Sequence, residues 1–139
     1  MGGVEAAVFG VLVFVFGTLV VANAWAVIDA KLAANSAARE AARSYVEARS
    51  ASEAGLEARR AAEEAVRGHG RQVERMELDR VQGGFARCAR VTLEVRYRVP
   101  VVAVPMLGEK GSGFTVASRH SEVVDPYRSG LEGEAACRE

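Results

Sequence analysis

A run of 23 uncharged residues, from Ala6 to Ile28, constrains this chain more than anything else in it. Glu5 stands just before the run and Asp29 just after. Within it only Gly10, Gly17, Thr18 and Asn23 interrupt Ala, Val, Ile, Leu, Phe and Trp. A helix of this length spans roughly 35 Å, more than the ~30 Å hydrocarbon layer of a bilayer. A helix buried in a globular core needs an apolar stripe, not an apolar sleeve. The run therefore predicts a transmembrane anchor over residues 1–28, with the lipid bilayer as its first partner.

A secretory signal has a basic start, a short apolar stretch of about 7–15 residues and a small-residue cleavage site. No Lys or Arg precedes Ala6, the run is longer than this, and alanine-rich helical pattern continues straight past it. The expectation is a retained, single-pass anchor.

With the anchor set aside, about a hundred residues remain, enough for one small domain with a thin core. Lys and Arg together number 18, as do Asp and Glu, so no global field draws the chain to nucleic acid. Its two cysteines, Cys88 and Cys137, are too few for a zinc framework. If the soluble part lies outside the cell they could form one disulfide; otherwise they are two unrelated thiols.

Helical pattern persists through residues 29–70, with charges three and four apart, such as Arg39, Arg43 and Glu47. Ser50 followed by Glu53 matches a capping box, so a break is expected near 50–55, followed by a second helix from about Ala51 to Arg67. Gly68-His69-Gly70 ends it. The period then changes to two over 71–124. Val91, Leu93, Val95, Tyr97 and Val99 alternate with polar residues and mark the clearest strand. Met76 and Leu78 suggest an earlier strand ending near Val81, joined through a Gln82-Gly83-Gly84 turn. Gly108 to Gly113 reads as a loop, and Gly113 to about Val123 as a third strand. Residues 125–139 carry little apolar surface and read as a flexible tail. The fold class is α+β: a long N-terminal helix, an Ala-rich extension and a small three-stranded antiparallel sheet, which only the helices could cover.

Small residues recur at Gly3, Gly10, Gly17 and Ala24, and at Ala22, Ala26, Ala30, Ala34, Ala38 and Ala42. Either series would let a second helix approach closely, which is how membrane helices gain packing energy. Glu5 either rests among headgroups or, if deeper, needs a cationic partner.

Gly3-Val4-Glu5-Ala6 opening the apolar helix resembles the start of the TadE-like proteins, minor pseudopilins of the tight-adherence pilus. Ala37-Ala38-Arg39-Glu40-Ala41-Ala42-Arg43, the strand from Val91 to Pro100, and Tyr127-Arg128 extend the resemblance over most of the chain. It implies an inner-membrane component of a pilus or secretion machine whose partners are other pseudopilin subunits. It also implies that Glu5 pairs with a neighbour's N-terminal amine during assembly. Glu5, Gly10 and Gly17 are then the expected assembly contacts.

No enzyme chemistry stands out. His69 lies between glycines and His120 on a strand among Ser118, Arg119 and Ser121, and both read as solvated. Gly108 to Gly113 lacks the Gly-Lys-Ser/Thr ending of a phosphate loop. The expectation is no catalytic residue, cofactor, metal or small-molecule substrate. Lys31, Arg39 and Arg43 follow the anchor, and by the positive-inside tendency they favour a rival: a cytoplasm-facing, membrane-anchored helical scaffold.

Overall fold

The computed structural model describes residues 2–100, 113–131 and 137. Its element order is α1 (Gly2–Glu47), α2 (Ala51–Gly68), a 3-10 turn (Val73–Arg75), and strands β1 (Met76–Gln82), β2 (Arg90–Val99) and β3 (Phe114–Val123). The strands form one antiparallel sheet in the order β1-β2-β3. This is the α+β architecture expected from the sequence.

α1 is unbroken over 46 residues, so the division expected at residue 28 is not a break in the chain's path. No proline falls inside it, and its second half is rich in alanine, the best helix former. The first half projects away from the rest of the protein. The second half is the core: Ala30, Ala33, Ala34, Ala37, Ala38, Ala41 and Ala42 have no exposed surface. Alanines on two faces are buried because α1 packs on α2 and also on β2 and β3. Small side chains let α2 and the sheet both come close. The ridge at Ala30, Ala34, Ala38 and Ala42, which in the sequence could serve a second subunit, is thus consumed inside the molecule.

The break falls where the capping box places it. The Ser50 hydroxyl accepts from the Glu53 amide at 3.3 Å, and α2 starts at Ala51, with Gly55 inside the helix. α2 buries Ala54, Ala58, Ala62 and Val66, a stripe at strict four-residue spacing. Its end uses Gly70 at φ +67, which lets the Arg71 amide reach the Val66 carbonyl at 3.1 Å.

In the sheet, Val91, Leu93, Val95, Tyr97 and Val99 face α1 and are buried. The β1–β2 connection departs from the expected tight hairpin: β2 begins at Arg90, so residues 83–89 form a longer loop. Phe85 packs edge-on against Tyr45 at 6.0 Å, which gives the loop its own apolar anchor. Gly83, at φ +81, begins this loop where a Cβ would meet the Arg90 carbonyl at 2.1 Å. At the other end of the sheet a Cβ on Gly113 would meet the Val99 carbonyl at 2.4 Å. The loop expected over 108–113 lies, apart from Gly113, outside the described residues.

Part of the segment read as a flexible tail, and Val124 just before it, contact the rest of the fold. Val124 is fully buried, and its amide and carbonyl bond to Ala89 and Cys88. Arg87 donates to the carbonyls of Pro126 and Leu131, and Arg128 to those of Val46 and Glu47, at 2.6 and 2.8 Å. Arg128 therefore caps the last carbonyls of α1, which no intrahelical amide can reach. Cys88 and Cys137 are joined by a disulfide, their Cα atoms 5.2 Å apart. The tail is polar and anchors through arginines and a covalent bond, features that hydropathy does not register.

Candidate functional site

The first half of α1 exposes a long, predominantly apolar surface. Phe9, Phe14, Phe16 and Trp25 are each at least 69% exposed. Gly3–Glu47 is the one described helix long and apolar enough to cross a membrane, with a mean hydropathy of 2.4 in its best window. The two polar side chains inside the run are satisfied locally. Thr18 donates to the Phe14 carbonyl and Asn23 to the Leu19 carbonyl, both at 2.8 Å. That i to i−4 pattern is how a hydroxyl or amide avoids an unpaired donor in hydrocarbon.

Gly10 and Gly17 lie on this helix with open space where a Cβ would point. Gly3 shares that property, so among the described residues the three glycines are clear of contacts outside their own helix. Glu5 sits at the start of the helix beside Val4, Val8, Phe9 and Leu12, with no ion-pair partner among the described residues. Among the described residues these meet nothing outside their own helix, which alone fixes their spacing. Cys88 and Cys137 stand at the far end of the molecule, beside the tail.

The structure also defines a junction between the apolar helix and the domain that sequence reasoning missed. Arg71 leaves the end of α2 and donates to Asp29 at 3.0 and 2.6 Å and to the Ala26 carbonyl at 3.1 Å. Its guanidinium also lies 5.5 Å from the Tyr97 ring centroid. One arginine thus gathers α1, α2 and β2 at the last turn of the apolar run. Lys31, one turn further on, donates to the Ala117 carbonyl on β3. In the sequence, Asp29 was visible only as the end of the run, and nothing there paired it with a residue on another element.

The uncovered face of the sheet holds a second unforeseen group. Glu94 is 2% exposed although it points away from the helices. Arg96 and Arg119 both pair with it, and Arg96 continues to Asp79 at 3.0 Å. The hydrogen bond from Arg119 holds the Glu94 carboxyl below the ordinary carboxylate range, against the opposing effect of burial. The alternation of charges marks this face as polar, but the depth of Glu94 comes from long arginines lying across it. His69 is exposed at the end of α2, and His120 pairs with Glu122 at 3.0 Å. Among the described residues no cluster of three or more His, Cys, Asp or Glu could hold a metal ion.

Comparison with protein-family models, with curated proteins and with solved structures returned no match.

Proposed function

We propose that this protein is a single-pass membrane subunit, pseudopilin-like, of a tight-adherence-type pilus or secretion machine. It would assemble through the exposed half of α1, with Glu5, Gly10 and Gly17 as contacts and other pseudopilin subunits as partners. The observation that carries this reading is the division of labour along one helix: its first half is bare and apolar, and its second half is the core of a small domain. A helix so divided ties a folded head to a packing stalk without a joint. The open glycine line supports close helix–helix contact, since nothing among the described residues competes for it.

The Cys88–Cys137 bond supports an extracytoplasmic head, because disulfides persist in oxidising compartments and are rare in the cytosol. The rival, a cytoplasm-facing anchored scaffold, draws on Lys31, Arg39 and Arg43 after the span. In a Cys88→Ala background Cys137 is a lone exposed thiol. An impermeant thiol reagent applied to intact and lysed cells then separates the two. Labelling in intact cells supports the pseudopilin reading; labelling only after lysis replaces it with the scaffold.

Assembly is tested by Gly17→Ile, which adds bulk, keeps the segment apolar and therefore preserves insertion. Crosslinked oligomers should diminish. Oligomers that persist unchanged remove the glycine face from the proposal. Glu5→Ala should impair assembly if its carboxylate meets a neighbour's amine, and leave it unchanged if it rests among headgroups.

A further inference from the structure

The head does not stand clear of the apolar helix; it overlaps it. Arg71 bonds both Asp29, just past the apolar run, and Ala26, within it, while its guanidinium lies over Tyr97 on β2. Tyr97 is therefore level with the end of the run. β2 continues two residues further in the direction of the N-terminal half of α1, to Val99, whose partner on β3 is Phe114. Two strand residues advance about 7 Å, which equals roughly four to five residues of helix. The end of the sheet formed by Val99 and Phe114 thus descends to the turn of α1 that carries Trp25. Ala26 and Val27 are partly buried against the core there, which confirms the overlap.

At that depth the sheet end carries the groups an interface selects. Phe114 is 55% exposed and Trp25 is 71% exposed. Arg98 lies opposite Thr115, one residue from Phe114 in register, on the other face of the sheet. Its only described charged neighbour is Glu77 at 3.9 Å, a loose contact between two well-exposed side chains. An aromatic ring and a long cationic side chain at one level suit the boundary between acyl chains and phosphates, where the ring is half dehydrated and the guanidinium reaches outward.

Resting on the membrane reading above, we propose that Phe114 and Arg98, at the Val99–Phe114 end of the sheet, form a lipid-binding surface. Phe114 enters the boundary between headgroups and acyl chains beside Trp25, and Arg98 binds lipid phosphate. The head is then seated on the bilayer at two places, the helix and the sheet end, and its tilt is fixed.

The chain has one tryptophan, so intrinsic fluorescence reads this directly. The unaltered full-length protein and a Trp25→Phe/Phe114→Trp variant are placed in phosphatidylglycerol-containing liposomes whose lipids are brominated either near the headgroup or near the chain end. A Trp25→Phe/Leu56→Trp variant reports α2, where Leu56 is 69% exposed and distant from the junction. The indole at position 114 should lose most of its emission to shallow bromine, less to deep bromine, and emit at shorter wavelength than the one at position 56, which should not be quenched. Adding Arg98→Gln should weaken the quenching at position 114. Quenching of native Trp25 with none at position 114 overturns the proposal and leaves the membrane span standing. Absence of quenching at Trp25 itself overturns both. Quenching at position 114 that Arg98→Gln leaves unchanged overturns the phosphate contact.

Discussion

Arg71 and Asp29 are 42 residues apart in sequence and 2.6 Å apart in space. The pair closes the head around α1 at the one level where the helix changes from bare to buried. Arg71 is the better enclosed member, with 15% of its side chain exposed against 44% for Asp29. Arg71→Ala removes the ion pair, the bond to the Ala26 carbonyl and the contact with Tyr97 together. It should cost about 2 kcal/mol, the scale of a partly buried charged hydrogen-bond group. Asp29→Asn keeps an acceptor and should cost less. Urea unfolding of the detergent-solubilised protein, followed by circular dichroism, measures both; equal losses would mean that the ion pair alone holds the junction.

Ala38 has no exposed surface, while its neighbour Arg39 is exposed. Ala38→Leu forces three methyl-sized groups into a helix–sheet contact closed by alanines and should cost about 1–3 kcal/mol or more. Arg39→Leu, with the same new side chain one position along, should leave the unfolding midpoint nearly unchanged. A neutral Ala38→Leu would show that α1 and the sheet are looser than they stand here.

The Glu94 carboxyl is held low by Arg119 and Arg96, so its contribution has a defined sign. With a folded pKa below the unfolded one, the stabilisation is complete above the ordinary carboxylate value of about 4.5 and is lost as pH falls through the lower folded value. Glu94→Gln should therefore flatten the acid limb of a stability–pH profile below that point and lower stability at neutral pH. Profiles of equal slope for the two proteins would assign the acid limb to other carboxylates.

Reduction should loosen the far end of the head first. The Cys88–Cys137 bond bridges 49 positions and holds the tail that brings Arg128 to the end of α1. Its loss should lower stability by about 2–4 kcal/mol, and proteolysis should cut the tail before the sheet. Arg128→Ala in the oxidised protein should reproduce part of that loss, by uncapping α1. Reduction with no change in proteolysis would mean that the arginines alone retain the tail.

The sequence carried the elements and their order because each has a local cause. Ser50 and Glu53 announce the start of α2, Gly70 its end, and Val91 to Val99 a one-faced strand. The bare helix was legible for the same reason, since twenty-three uncharged residues in a row predict a helix with no polar face. What escaped were contacts between residues remote in sequence: Arg71 with Asp29, Arg119 with Glu94, Arg128 with the end of α1. Arginine has a long stem and a charged fork, and its partner is set by tertiary geometry, not by spacing along the chain. The alanine series misled for a related reason. A line of small residues signals that something approaches closely, but not whether the neighbour is a second chain or the same one.

The line of small residues in the apolar segment has one more property. Seven-residue spacing on an α-helix drifts by only about 20° per step, so Gly3, Gly10, Gly17 and Ala24 point to nearly the same side. The next step along that line is Lys31, whose ammonium rests on the outer strand of the sheet at Ala117. Among the described residues no strand lies beyond β3. A second helix lying against the glycines would be carried, on leaving the lipid, straight to this unpaired edge. Contact in the bilayer and contact at the edge would then be a single event, the first raising the effective concentration for the second. Because α1 is unbroken between the two, the azimuth of any such neighbour would be set by the helix itself.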